Sequence, residues 1–306
     1  MNNQTESITQ IGVVGLGKMG YPLALNLKDK GFEVVAFDVS AESRSKIEAE
    51  GVVAANSLAD LVGQLKGRKV IWLMIPAGEI VDRVVSDLAL LLNKSDIVIE
   101  GGNSFYKTSV ARHNLLKESG IDFLDCGTSG GVSGARNGVC AMVGGEREVF
   151  DYCEPVFKSI AVADGYLYTG LAGSGHFVKM VHNGIEYGMM QAIAEGFEVF
   201  EKSHYDIDFE AVAKLFNQGS VVRSWLMELT ADAFGKDPKL ETIKGVMQSS
   251  GEGKWTLETA LELGVPTPVI AMSVMMRYRS LQDDTFSGKV VAALRNEFGG
   301  HAVTKS

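Results

Sequence analysis

Short apolar runs rich in Val and Ile punctuate the first part of the chain, at 8–14, 33–37, 70–75, 96–100, 121–125, 140–143 and 166–168. Runs of this length, bounded by Gly, Asp or Pro, read as buried strands. Between them, 21–30, 79–92 and 106–119 carry the periodicity of amphipathic helices. Such alternation predicts an α/β fold with a mostly parallel sheet covered on both faces. Beyond residue 172 the strand signals stop. Helical patterns follow at 173–200, 208–217, 224–234, 254–263 and 266–282. The expected organisation is an α/β domain over 1–172 and an all-α domain over 173–306.

In 173–200, Phe177, Met180, Val181, Ile185, Met189, Ile193, Phe197 and Phe200 recur every three or four positions. Lys179, His182, Asn183 and Glu186 stand at i, i+3, i+4 and i+7, which places them on one stripe of that helix. A solvated face with a Lys–Glu pair satisfies the spacing as well as a site does. The surrounding glycines Gly173, Gly175, Gly184 and Gly188 disfavour a helix and point to something packed close against its backbone.

The first run leads into Gly15-Leu16-Gly17-Lys18-Met19-Gly20, then a helix, then a strand ending in Asp38. In that order the glycines read as a dinucleotide-binding turn rather than an ordinary loop. Gly15 makes the turn, Gly17 admits the pyrophosphate, and Gly20 lets helix and strand pack. The helix N-terminus supplies N–H donors for the phosphates. The fold expected is therefore a Rossmann domain. Asp38 suits the ribose 2′-OH of NAD and repels the 2′-phosphate of NADP, while nearby Arg44 is a rival phosphate ligand. Leu16, Met19 and Met74 complete the cofactor candidates. Two glycine-rich loops follow later strands, Gly101–Ser104 and Gly127–Ala135. Their N–H groups can hold an anion, with Asn103 and Ser129 as added donors; either loop alone reads more simply as plain turn chemistry, and it is their shared position beyond the strand ends that points to a site.

The net charge of −9 disfavours nucleic acid and anionic membrane as partners. Basic residues for an anionic ligand must then be gathered locally, and Arg277, Arg279 and Arg295 with His301 lie close in sequence. Solvated surface charge explains each of these taken singly. The three cysteines, Cys126, Cys140 and Cys153, show no metal-ligand spacing and read as buried thiols of a reducing compartment. No metal site is expected. Met272, Met275 and Met276 read as core packing, and Trp225 and Trp255 as core or interface anchors. The polar start, 1–7, lacks signal-peptide layout, and the apolar runs are too short to span a bilayer, so a cytoplasmic location is expected.

Lys179-Met180-Val181-His182-Asn183-Gly184-Ile185-Glu186-Tyr187 resembles the signature helix of the decarboxylating 6-phosphogluconate dehydrogenases, within the β-hydroxyacid dehydrogenase superfamily. Gly102-Asn103-Ser104, Ser129-Gly130-Gly131, Gly251–Thr256 and Arg295–His301 match further family stretches. The chain resembles the short form, which lacks the duplicated helical half. The resemblance implies oxidation of 6-phosphogluconate by NAD, loss of CO2 and protonation of an enediol to give ribulose 5-phosphate, in gluconate utilisation and the pentose phosphate pathway.

It further implies Lys179 as base, Glu186 as acid, and Asn183 with Asn103 on substrate hydroxyls. Ser129, Gly130, Gly131 and His182 would hold the carboxylate. Tyr187 and Arg277 would hold the phosphate, together with Arg295 and His301 of a partner subunit, so a homodimer or larger homo-oligomer is implied. A free lysine titrates at about 10.4, and lowering it by about 3 pH units for base catalysis is worth roughly 4 kcal/mol. Ser250 and Glu252 stand where the long enzymes carry a lysine and a threonine near the phosphate. A non-decarboxylating 3-hydroxyisobutyrate or tartronate-semialdehyde type dehydrogenase is the alternative enzyme. A non-catalytic NAD-binding sensor is the alternative outside enzymes, and it has no use for the Lys179–Glu186 stripe.

Overall fold

The computed structural model describes residues 7–305, so of the polar start 1–7 only Ser7 falls within it. Its strands are β1 (Gln10–Val14), β2 (Glu33–Phe37), β3 (Val53–Ala54), β4 (Val70–Leu73), β5 (Ile97–Glu100), β6 (Asp122–Ser129), β7 (Val139–Gly145) and β8 (Ala161–Gly170). Among them run α1 (Gly20–Asp29), α2 (Ala41–Ala49), α3 (Leu58–Gln64), α4 (Glu79–Leu91), α5 (Tyr106–Glu118), α6 (Gly131–Asn137) and α7 (Arg147–Ile160). Then come α8 (Ser174–Lys202), α9 (Phe209–Phe216), α10 (Trp225–Lys236), α11 (Gly251–Glu262), α12 (Pro268–Ser280) and α13 (Phe286–Gly299). The architecture is a Rossmann-type α/β region followed by a helical one.

One sheet takes the order β3-β2-β1-β4-β5-β6-β7-β8. Every pairing in it is parallel except β6 with β7. The alternation of side chains along each strand separates two cores. Ile11, Val13, Trp72, Ile99 and Cys126 face α1 and α7 residues such as Leu23 and Phe157. Val14, Ile71, Leu73, Val98 and Phe123 face Leu61, Val85, Leu88 and Leu116 of α3, α4 and α5. Burial on both faces is why these strands read as continuous apolar runs rather than alternating ones.

The chain divides into two compact units after His182, within α8. The first turns of α8 belong to the sheet unit because they pack on β6 and β7. A Cβ on Gly175 would lie 2.5 Å from the Asp125 carbonyl and 2.8 Å from the Gly144 N. The second unit has its own aromatic core of Phe197, Phe209, Met227 and Phe234. Asp208, Ser224 and Thr285 cap α9, α10 and α13 by accepting from Ala211, Met227 and Gly288 N–H groups.

Some expectations need correction. Gly131–Asn137 is a short helix, not a loop, and Gly127–Ser129 is strand, held by its ladder to β7. Cys140 is exposed, whereas Cys126 and Cys153 are buried. Met272, Met275 and Met276 are exposed on α12 rather than packed in a core; Trp225 on α10 is exposed too, which removes the core half of its reading. Residues 286–299, for which no helix was expected, form α13 and are exposed throughout. Among the described residues no helix is long and apolar enough to cross a membrane.

Candidate active site

The glycine turn after β1 is built for a close-lying ligand. Gly15 adopts φ +96°, and a Cβ there would meet the Met74 carbonyl at 2.5 Å. Gly17 differs: a Cβ on it would find nothing within 4 Å among the described residues, so its backbone faces open space. Met19, the residue before α1, makes no side-chain cap, and the first turn of α1 holds no acid. Within that turn Tyr21 donates to the Gly17 carbonyl at 3.1 Å and Pro22 has no N–H, which leaves the Gly20 N–H to meet an anion. Asp38 closes the far side. Its Oδ2 accepts from the Leu16 N–H at 2.7 Å and its Oδ1 from the Ser40 N–H at 2.8 Å. Arg44 Nη1 donates to the carbonyls of Asp38 at 2.7 Å and Val39 at 3.2 Å. The open glycine backbone, the start of α1 and the Asp38 carboxylate fit a dinucleotide cofactor. Met74 is half-buried, tied by its N–H to the Val14 carbonyl at 2.8 Å.

Beyond β5 the chain passes through Gly101 and Gly102 to Asn103, which holds the left-handed φ of +55°. Its side-chain amide clasps the β6 backbone: Oδ1 accepts from the Thr128 N–H at 3.0 Å and Nδ2 donates to the Thr128 carbonyl at 3.2 Å. The next residue of β6, Ser129, places its Oγ 3.3 Å from His182 Nε2. His182 Nδ1 is 3.3 Å from Lys179 Nζ. Ser129, His182 and Lys179 thus form one polar line, and the helical spacing of Lys179 and His182 makes it. Lys179 is only 5% exposed. It reaches this depth because β6 presents a glycine there: a Cβ on Gly127 would lie 3.1 Å from Lys179 Cγ and 2.8 Å from the Gly175 carbonyl. Gly130 takes φ +109° and Gly131 φ +59°, turning the chain from β6 into α6.

Further along α8, Asn183 and Glu186 are half-buried and Tyr187 is buried. Tyr187 Oη lies 3.0 Å from Ser250 Oγ, and the Arg277 guanidinium stacks 3.5 Å over its ring. Arg277 Nη1 also donates to the Gln248 carbonyl at 2.7 Å. Gly253 makes room for the Tyr187 ring and Gly184 for Thr256, since a Cβ on either would clash at under 3.0 Å. Ser250 precedes α11 yet makes no cap, its hydroxyl being turned to Tyr187. Glu252 Oε2 is buried with no partner among the described residues. Arg295 and His301 are exposed, on α13 and just past it, and Asn296 Nδ2 donates to the His301 carbonyl at 2.9 Å.

Sequence reasoning passed over a set of buried polar residues behind Asn103 and Lys179: Glu100, Ser104, Ser109, Arg112 and His176. Two signals were legible. His176 stands three residues before Lys179, so it begins the same stripe. Glu100 closes the apolar run Ile97-Val98-Ile99 directly before the glycines.

The NAD binding domain of 6-phosphogluconate dehydrogenase matches residues 10–170, and the 6-phosphogluconate dehydrogenase C-terminal domain matches 175–304. A Bacillus subtilis protein provisionally named 6-phosphogluconate dehydrogenase YqeC is 57% identical over 97% of this chain and 99% of its own. A Haloferax volcanii protein named NAD(+)-dependent, decarboxylating 6-phosphogluconate dehydrogenase is 45% identical over 97% of this chain and 99% of its own. Among solved structures, Plasmodium falciparum 6-phosphogluconate dehydrogenase superposes with a TM-score of 0.83 at 30% identity, covering 97% of this chain and 66% of that one. That protein is described with NADP+ as cofactor and 6-phosphogluconate as substrate.

Proposed function

This chain belongs to the 6-phosphogluconate dehydrogenase family, and we propose that it converts 6-phosphogluconate to ribulose 5-phosphate and CO2 with NAD as oxidant. The observation that carries this reading is the buried Lys179, hydrogen-bonded through His182 to Ser129, on a helix that also bears Glu186. NAD, when bound, supplies the acceptor for the hydride leaving C3. The Gly15–Gly20 turn, Asp38 and Met74 hold it, and the Asp38 carboxylate favours it over NADP. The 45% identity to a protein named NAD(+)-dependent supports the same preference.

Lys179, as the neutral amine, takes the proton of the C3 hydroxyl. As the ammonium it then donates to the C3 oxygen, carrying the negative charge that gathers there when the C1 carboxylate leaves as CO2. Glu186 stands two helical turns further on, a rise of about 10 Å. That separation suits an extended sugar acid laid along α8, with Glu186 delivering a proton to the carbon that lost CO2. Ser129, Gly130, Gly131 and His182 orient the carboxylate, and Asn103 and Asn183 the hydroxyls. Tyr187 and Arg277 take the phosphate, joined by Arg295 of the partner subunit and His301 of the partner subunit in a homo-oligomer.

The test is NADH formation and CO2 release with 6-phosphogluconate, set against 3-hydroxyisobutyrate. Lys179→Met should abolish both signals while NADH still binds. NADH formation from 3-hydroxyisobutyrate without CO2, and none from 6-phosphogluconate, would reverse the assignment.

A further inference from the structure

The polar residues behind the proposed base have no part in the chemistry above, yet their burial is complete. Glu100 and Ser109 are 0% exposed, His176 1%, Ser104 2% and Arg112 4%. Stability alone does not account for them. Taking an ion pair such as Arg112 Nη1–Glu100 Oε1, at 2.8 Å, out of water is expensive, and well-packed apolar side chains are often no less stable.

The connections run in two directions from Glu100, the last residue of β5. Its Oε1 accepts from Ser104 Oγ and from Arg112 Nη1. Arg112 is itself fixed by Asp82 Oδ1 at 2.8 Å and the Gly78 carbonyl at 3.3 Å, and Nη1 also donates to Ser104 Oγ at 2.9 Å. Ser104 adjoins Asn103, whose left-handed backbone and clasp on Thr128 depend on how this loop is held. The other oxygen, Oε2, accepts from Ser109 Oγ at 3.4 Å, and Ser109 Oγ lies 2.7 Å from His176 Nδ1.

A carboxylate only accepts, so the single Ser109 proton goes to Glu100 and Ser109 accepts from His176. That puts the ring proton on Nδ1 and leaves Nε2 a bare lone pair. The arrangement agrees with Nε2 being buried without a partner among the described residues, because an N–H there would be an unmet donor. His176 is fixed from its other side as well, its backbone N–H donating to the buried Asp125 at 2.8 Å. One helical turn later α8 presents Lys179.

We infer that Glu100 is a positioning residue: one buried carboxylate sets Asn103 through Ser104 and sets Lys179 through Ser109 and His176. The inference rests on the reading of Lys179 as the base. It is tested by steady-state kinetics with 6-phosphogluconate and NAD, beside NADH-binding titrations and thermal melts. Glu100→Gln keeps the shape but replaces an acceptor with an amide N–H, and should lower kcat by about 10- to 100-fold with KM for NAD within about threefold. His176→Asn retains an N–H near the Nδ1 position and should keep most of the activity. His176→Leu should lose as much as Glu100→Gln. Ser109→Ala, which breaks one arm only, should lose about tenfold and serves if the glutamine variant does not fold.

Wild-type kcat in a folded Ser109→Ala or His176→Leu variant would overturn the inference, as would equal damage from His176→Asn and His176→Leu. A wild-type protein that binds NADH but does not oxidise 6-phosphogluconate would overturn the functional reading and this inference with it.

Discussion

A single methyl group at Gly127 puts the placement of the base to the test. The ideal Cβ there would sit 2.8 Å from the Gly175 carbonyl and 3.1 Å from Lys179 Cγ, and closer still to Lys179 Cβ. Ordinary contact begins at 3.4 Å, so the first turns of α8 must retreat from β6 by more than half an ångström. Nor is the obstacle a flexible side-chain end, because a backbone carbonyl blocks it. The strain of such overpacking is about 1–3 kcal/mol, which lowers the melting temperature without abolishing the fold. The catalytic effect should be larger in proportion. A base displaced by about 1 Å loses roughly 100-fold in rate, or about 2.7 kcal/mol of barrier. Gly127→Ala should therefore remain folded, bind NADH normally, and show kcat reduced by about two orders of magnitude. Initial rates of NADH absorbance at saturating 6-phosphogluconate, with a melt on the same preparation, give both numbers. A variant with wild-type kcat would mean that Lys179 is not held by β6, and the assignment of its role would fall with that.

Other substitutions separate the remaining parts of the site. Gly17→Ala meets no atom within 4 Å among the described residues, so the melting temperature should hold while KM for NAD rises at least about tenfold; an unchanged KM would place the pyrophosphate elsewhere. Asp38→Ala should narrow the preference for NAD over NADP, read as the ratio of kcat/KM values, and a ratio that widens would show that Asp38 does not repel the 2′-phosphate. Burial pushes the Cys126 and Cys153 thiols up to about 12, so at pH 8 a thiol reagent should label only Cys140 in the folded protein. Those two folded values lie above the usual 9.0, so their contribution to stability is whole below that pH and is lost as pH rises towards 12. Urea midpoints at pH 8 and pH 10 should differ accordingly, the lower at pH 10; equal midpoints would remove the effect.

Periodicity made the strands and the Lys179 stripe legible before any coordinates. β2 occupies 33–37 as its apolar run implies, and Lys179 and His182 meet because three residues nearly complete a helical turn. Composition misled where small residues do the work of larger ones. Gly127-Thr128-Ser129 has the look of a loop, yet it is strand because β7 pairs with it antiparallel. Gly131–Asn137 contains two glycines and still forms almost two helical turns. What no local pattern discloses is convergence. Glu100 and Arg112 stand 12 positions apart and His176 far beyond both, and only the packing of α5 and α8 beside β5 makes them one network. The three α12 methionines show the reverse error: an apolar side chain carries no mark of whether its own chain covers it.

The order of strands bears on how the chain can be made. Along the sheet, every neighbour is also a neighbour in sequence except where β1 meets β4, with Gly12 opposite Ile71. Once that one distant pairing closes, each later strand adds to the edge its predecessor has just formed, through β5, β6, β7 and β8 in turn. A chain emerging N-terminus first can therefore lay down its sheet vectorially, with loop-closure entropy concentrated in a single step. The reversed pair β6 and β7 arrives late in that sequence, so the floor beneath Lys179 is finished only shortly before α8 is synthesised to lie on it.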